Sequence, residues 1–138
     1  MKKIFLIALI ATLALSNNVQ AQSKRAARVK YVLENMDIDG AQQKKLKPLL
    51  EKYLEEKKIQ TAPYEDMKDD LKPKIEAGSL SDKQADKLLK LKWEADQKEL
   101  NLKKQYEVKF RTVLSASKTY RCFDLLNDKK SKYLGTKE

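Results

Sequence analysis

Few residues in this chain are of types that perform chemistry. The 138-residue sequence has no histidine and a single cysteine, Cys122. Without histidine, a catalytic triad with a histidine base and a zinc site with imidazole ligands are both excluded. The sequence also shows no glycine-rich phosphate loop, no nucleophile beside a base and no convergent pair of carboxylates. We therefore predict a protein that is not an enzyme and that uses no cofactor.

The densest acidic cluster consists of Glu65, Asp66, Asp69 and Asp70. On a helix, carboxylates four residues apart are able to share a hard cation, which makes metal handling one hypothesis. A solvated acidic face that balances nearby lysines is the simpler interpretation. Nickel and copper favour imidazole or thiolate ligands, and only Cys122 offers one. We assign no metal ligand.

Cys122 has no second cysteine in its own chain, so no intramolecular disulfide is possible. Two interpretations remain open. Cys122 is either a half-buried small apolar residue or a thiol that joins two copies of the chain across a dimer.

Positive charge is the strongest compositional feature, with 30 Lys and Arg against 20 Asp and Glu. Such a surface attracts acidic partners at long range, and sparse apolar spots hold them weakly. Each lysine could equally be ordinary solvated surface, and Trp93 could lie in a core or dimer interface. The candidate residues for binding such partners are Lys44, Lys45, Lys47, Lys57, Lys58, Trp93, Lys103, Lys104, Tyr106, Lys109 and Arg111.

Binding of anionic polymers is compatible with this charge. The aromatic residues, however, are not arranged as a platform on which bases stack. The first residues also have the pattern of an export signal, which would take the protein away from nucleic acid. We predict no nucleic-acid partner.

The first 21 residues have the pattern of an export signal. Lys2 and Lys3 precede the apolar run 4–15, and Val19-Gln20-Ala21 is a small-x-small cleavage site. The apolar run is too short for a membrane anchor. We predict cleavage after Ala21, a periplasmic location and one helical domain over residues 22–138. Losing Lys2 and Lys3 lowers the net charge from +10 to +8.

The rest of the chain is predicted to be helical. A short basic helix ends near Asn35, and one long bent helix follows from Asp39 to Ala77, with a break near Thr61 as the alternative. Gly78 suits the position just after that helix. A central helix of roughly 50 Å covers the stretch from Leu80 to Leu114, and a last helix follows. The predicted apolar stripe of the central helix is Leu88, Leu89, Trp93, Leu100, Tyr106, Phe110 and Val113.

Three helix starts share one form. An aliphatic residue is followed by a capping residue, and a polar residue stands three positions after the cap. In a capping box the side chain of the cap accepts a hydrogen bond from the backbone amide of the residue three positions later. When that residue is Gln, its side chain accepts in return from the backbone amide of the cap. Lys118 takes the Gln position in the last copy. The residues are Ile38, Asp39 and Gln42 in the first copy, Leu80, Ser81 and Gln84 in the second, and Leu114 and Ser115 in the third.

Behind an export signal, these motifs resemble the Leu-Thr-x-x-Gln motif of the Spy/CpxP-type family of small periplasmic proteins. The segment from Tyr106 through Phe110 and Val113 to Ser115 is similar to that family's stretch before its last helix. The resemblance spans roughly residues 31–126. Asp39 stands where the family usually has Thr, and Lys118 where it usually has Gln.

The resemblance implies an all-α fold of four helices, an elongated hairpin-like cradle with long bent helices, and an antiparallel homodimer. It also implies an ATP-independent chaperone for unfolded periplasmic proteins, active in envelope stress. Two alternatives remain open: a signalling accessory that binds the periplasmic domain of a membrane sensor, and a metal-responsive sensor or resistance protein.

Overall fold

The computed structural model describes residues 22–130, and this part of the chain contains five helices and no strand. The prediction of an all-α fold is confirmed. The predicted export signal lies outside the described residues. The fifth helix, absent from the four-helix expectation, is the short α3. The helices are α1 (22–34), α2 (Gly40–Asp70), α3 (Lys72–Glu76), α4 (Asp82–Arg111) and α5 (Ala116–Asn127).

Helix α2 runs unbroken through both Pro48 and Pro63. Near the second proline, the Thr61 hydroxyl donates a hydrogen bond to the Lys57 carbonyl over 2.9 Å. The helix is interrupted at Leu71 instead, two residues before Pro73. Proline has no amide hydrogen to donate, and its ring crowds the carbonyl four residues earlier. The single helix expected up to Ala77 is thus divided close to its end.

Helix α3 ends in a motif that turns the chain sharply. Gly78 adopts a φ of 65°, a left-handed conformation that glycine reaches without steric cost. The Ser79 amide donates to the Lys74 carbonyl over 2.9 Å, and the Gly78 amide donates to the Ile75 carbonyl over 3.2 Å. This pair of bonds is the Schellman pattern, which satisfies carbonyls left free at a helix end.

The described residues group into two compact units, and α2 contributes to both. The terminal unit contains residues 22–51 and 114–130. Here the Arg28 guanidinium donates to the Leu126 carbonyl over 3.0 Å, and the Tyr31 hydroxyl donates to Asp128 Oδ2 over 2.7 Å. These bonds fasten the end of α5 to α1. The core of the unit contains Val29, Val32, Met36, Leu46, Leu50, Leu114, Thr119, Cys122, Leu125 and Leu126.

The α2–α4 unit contains residues 52–113. Its two long helices run antiparallel, because Tyr53 of α2 packs on Tyr106 of α4 while Lys57 pairs with Glu99. The ring centroids of Tyr53 and Tyr106 are 5.3 Å apart at an interplanar angle of 62°, an edge-to-face arrangement.

The buried face of α4 differs from the predicted stripe. Leu88, Tyr106 and Phe110 are buried as expected, but Leu89, Trp93 and Leu100 are exposed. Ala95 and Leu102 take their places in the core. Seen from Leu88, the buried positions follow at intervals of seven, seven, four and four residues, which keeps them on one side of a helix.

Candidate functional site

The capping residues fix where α2, α4 and α5 begin. The Gln84 amide donates to Ser81 Oγ over 3.2 Å, and the Ser81 amide donates to Gln84 Oε1 over 3.2 Å, which completes a capping box. Asp39 and Gln42 form the same reciprocal pair, with distances of 2.7 and 3.3 Å. These caps fix the residue at which each helix begins, because they satisfy amides that the first turn leaves free.

Ser115 caps α5 without the reciprocal bond of a capping box: its Oγ accepts from the Lys118 amide over 3.3 Å and also lies 3.3 Å from Ser117 Oγ. A lysine side chain carries no acceptor, so it cannot return the second bond of the box. Ile38, Leu80 and Leu114 precede the three caps; Leu114 is buried, and the other two are half-buried.

The candidate lysines of α2 divide between the two units. In the terminal unit Lys44 and Lys45 are exposed, and Lys47 makes a loose ion pair with Glu51 at 4.0 Å. In the α2–α4 unit Lys58 is exposed, whereas Lys57 forms an ion pair of 2.9 Å with Glu99. The Lys57 ammonium thus joins two helices.

Glu99 lies between two ammonium groups. Lys57 Nζ is 2.9 Å and Lys103 Nζ 3.0 Å from Glu99 Oε1, and all three side chains are less than one-third exposed. Partial burial acts to raise the pKa of Glu99, but the two lysines outweigh it and hold that pKa below its usual value. Lys57 and Lys103 therefore contribute to the α2–α4 contact through one carboxylate that they share.

The remaining candidates on α4 have different surroundings. Lys104 and Arg111 are exposed. Lys109 is also exposed, and its ammonium lies 4.4 Å from the centroid of the Tyr106 ring. The Tyr106 ring is fully buried. The structure therefore places Tyr106 in the core and not on a surface that a client could reach.

The Tyr106 hydroxyl is buried without a hydrogen bond of acceptable geometry. Burial raises the pKa of Tyr106 to about 12, and the nearby carboxylates Glu56 and Glu55 add to the rise. A buried donor without a well-formed hydrogen bond costs stability. The hydroxyl belongs to a cluster of three packed rings, Tyr53, Tyr106 and Phe110, which we call the aromatic cluster.

An exposed apolar stripe runs along α4, and we call it the Trp93 stripe. It consists of Leu89, Trp93 and Leu100, whose side chains are 49%, 60% and 46% exposed. Positions four and eleven residues after Leu89 fall within about 40° of it around a helix. The three side chains therefore share one face.

Charged residues border the Trp93 stripe. The Lys92 ammonium lies 5.6 Å from the centroid of the Trp93 ring and 5.7 Å from that of the Tyr64 ring. It also pairs with Asp96 over 3.1 Å, and this hydrogen bond and charge raise the pKa of Lys92. The arrangement presents an apolar surface beside fixed charges.

Other exposed apolar side chains were not among the sequence candidates, and Ile59 and Val108 are the two most exposed aliphatic ones. Ile59 of α2 is 66% exposed and Val108 of α4 is 69% exposed. Each is flanked by polar or charged residues in the sequence, Ile59 by Lys58 and Gln60, and Val108 by Glu107 and Lys109. An isolated aliphatic residue in such a setting is the only sequence signal that could have identified them.

The acidic cluster at residues 65–70 lies on the surface of α2, where Glu65 pairs with Lys68 over 3.7 Å. Among the described residues, no group of three or more His, Cys, Asp or Glu side chains is placed to hold a metal ion. No helix within residues 22–130 is long and apolar enough to cross a membrane.

Cys122 lies in the core of the terminal unit with no exposed surface, and burial raises the pKa of its thiol to about 12. A disulfide to a second copy would require α5 to open, because the sulfur is not at the surface. Its surroundings match those of a small apolar core residue.

Comparison with known proteins adds no relative: no family model, no curated protein and no solved structure matches this chain.

Proposed function

We propose that this protein is an exported, ATP-independent chaperone that holds unfolded proteins on a basic, sparsely apolar helical surface. Cleavage after Ala21 and a periplasmic location belong to the same proposal, as does membership of the Spy/CpxP-type family. The observation that carries it is the presence of isolated, exposed aliphatic side chains, with Ile59 66% and Val108 69% exposed, within a chain of formal charge +10. A weak apolar contact beside attractive charge suits clients that must be captured quickly and released.

The test is suppression of aggregation of an unfolded acidic protein by the mature chain without nucleotide. We expect suppression at low salt and less at 1 M salt, where the Debye length falls to about 3 Å. Reversing Lys44, Lys45 and Lys47 to Glu should slow client capture in stopped-flow measurements more than it speeds release.

The matched control reverses Lys72, Lys74 and Lys83, which carry the same charge but lie outside the candidate surface. Equal slowing by both triple variants would assign the effect to net charge alone. Capture that neither salt nor charge reversal affects would contradict the proposal that the basic surface captures clients.

A homodimer is the second part of the proposal. We propose that a second, antiparallel copy covers the Trp93 stripe, because a charge-rich chain of 117 residues buries little apolar surface by itself. Sedimentation should then show a dimer at micromolar concentration, and Trp93→Ala should weaken it. Tyr120→Ala is the matched control, because Tyr120 is 77% exposed but lies on α5.

Trp93 is the only tryptophan, so its emission reports on the stripe directly. If a second copy covers the stripe, the emission shifts to shorter wavelength as protein concentration rises, before any client is added. If clients cover it instead, the shift requires a client. A monomer at high micromolar concentration would contradict the dimer and leave the holding activity to be decided by the aggregation assay.

A further inference from the structure

Within the terminal unit, α1 and α2 enclose a half-open groove of about 440 Å³. This volume lies within the range of sites that bind small ligands. Its lining includes Ala26, Val29 and Leu33 of α1. Val29 is buried, Leu33 is half-buried and Ala26 is exposed, so the apolar floor is open at the Ala26 end.

Charged pairs form both rims of this groove. Lys30 and Glu34 line it on α1, with their charged atoms 3.7 Å apart, and Lys47 and Glu51 line it on α2, at 4.0 Å. All four side chains are about half exposed or more, so both ion pairs are loose and solvated. Both ammonium groups can therefore turn toward a ligand at little cost.

The two lysines and two glutamates that line the groove cancel in charge, and its wider surroundings carry a net positive charge. Residues 22–51 contain seven Lys and Arg against four Asp and Glu. Exposed Lys44 and Lys45 follow Gln43, which also lines the groove. A ligand that places an apolar side chain on the floor and a carboxylate beside it would match both the floor and this charge.

We propose that this groove binds a short apolar segment of an unfolded polypeptide that is flanked by acidic residues. The inference rests on the proposed holding function and assigns it a specific site, in which Ala26, Val29 and Leu33 contact the apolar side chain. Lys30 and Lys47 attract the flanking carboxylates. Among the lysines singled out from the sequence, Lys47 is the one that lines the groove.

The probe is a fluorescent six-residue peptide with a Leu-Phe centre flanked by Asp on both sides, and binding is followed by anisotropy. The same peptide with Lys in place of Asp is the ligand control. We expect the Asp peptide to bind more tightly than the Lys peptide. We also expect this preference to weaken with salt, because the rim charges are exposed.

Two pairs of variants test the location. Ala26→Phe fills the groove and should weaken the Asp peptide about tenfold or more, since the apolar side chain loses its place. Ala41→Phe is its control, because Ala41 is also exposed but does not line the groove. Lys47→Glu should weaken binding by about two- to fivefold, and Lys45→Glu, with the same change of charge, should weaken it less. The Lys47 pair keeps the test valid if Ala26→Phe fails to fold.

Wild-type protein that does not bind the Asp peptide overturns the inference, as does unchanged affinity in Ala26→Phe. If Ala26→Phe dissociates a dimer in sedimentation, a second copy occupies the groove and the inference is again wrong.

Aggregation assays separate the peptide-binding inference from the proposed holding function. A folded Ala26→Phe variant that loses peptide binding but still holds clients confirms the peptide site and shows that holding uses other surfaces. Peptide binding by a wild-type chain that holds no client would contradict the proposed function alone.

Discussion

The two units bury side chains in different ways. The terminal unit draws its core from three helices, so that Val32, Leu46 and Leu125 come from α1, α2 and α5 and are each at most 2% exposed. The α2–α4 unit has only two long helices, and its burial is concentrated around Tyr53, Tyr106 and Phe110. No residue between positions 55 and 87 is buried.

This difference shows that a helix in this protein does not require a core along its whole length. Toward α3, away from the aromatic cluster, the α2–α4 unit is supported by local interactions. These are the Ser81 capping box, the Schellman end of α3 and short ion pairs such as Lys92–Asp96. Such contacts contribute a few tenths of a kcal/mol to about 1 kcal/mol each. We infer that the free energy of local opening falls from the aromatic cluster toward α3.

The largest expected effect compares the two ends of the buried face of α4. Phe110→Ala should cost about 3–5 kcal/mol, because it opens a cavity in the aromatic cluster. Leu88→Ala should cost about 2 kcal/mol, at the low end for such a change, because residues 55–87 supply no buried neighbours. Urea unfolding followed by circular dichroism measures both values. A loss for Leu88→Ala as large as that for Phe110→Ala would show that burial is not graded along α4.

Alkaline pH distinguishes the cores of the two units. Burial raises the pKa of Cys122 from 9.0 and of Tyr106 from 10.0, both to about 12. Between the ordinary pKa and the raised pKa of each group, the unfolded chain has lost the thiol or hydroxyl proton while the folded chain keeps it. The stability associated with the neutral group is then lost as pH rises. The window is pH 9 to 12 for Cys122 and pH 10 to 12 for Tyr106.

Two variants remove these ionisations one at a time. Tyr106→Phe should leave stability at pH 8 unchanged or slightly raised, because the buried hydroxyl makes no hydrogen bond of acceptable geometry. Relative to wild type, this variant should gain stability between pH 10 and 12. Cys122→Ala should show its relative gain from pH 9 upward. A loss of more than about 1 kcal/mol for Tyr106→Phe at pH 8 would mean that the hydroxyl has a partner, with Glu56 as the nearest candidate.

The smallest expected effect compares the two capping boxes. Ser81→Ala should destabilise the start of α4 by about 1 kcal/mol, and Gln84→Ala should cost less because it removes only the reciprocal bond. Asp39→Ala should cost at least as much as Ser81→Ala, since its bond to the Gln42 amide is 2.7 Å and carries charge. Thermal melts measure all three. Unchanged melting of Ser81→Ala would show that the Ser81 bond is not needed in solution.

Much of the local structure was readable from the sequence. Helix starts at Asp39, Ser81 and Ser115, and the turn at Gly78, follow from side chains or backbone freedom that act within four residues. The interruption of α2 was harder to predict, because the chain has three candidate prolines. Pro48 and Pro63 are tolerated inside α2, and only Pro73 coincides with a break.

The candidate binding residues were less predictable, because a lysine in a sequence does not show what it faces. Lys57 and Lys103 lie 46 residues apart in the chain, and they meet only through Glu99 once α2 and α4 pair. Lys44 and Lys58 have sequence surroundings similar to those of Lys57 and Lys103, but both remain exposed. The groove between α1 and α2 left no signal in the sequence, because it depends on the packing of two helices.

By itself, the sequence determined that the described chain is helical and where most helices begin. Tertiary structure decided which face of α4 is buried. The apolar residues of α4 form two stripes separated by roughly 120° around the helix, one with Leu88 and Leu102 and one with Leu89 and Leu100. Either stripe satisfies the helical period. Tyr53 and Lys57 of α2 select the first, because their contacts with Tyr106 and Glu99 fix the rotation of α4 and leave Trp93 exposed.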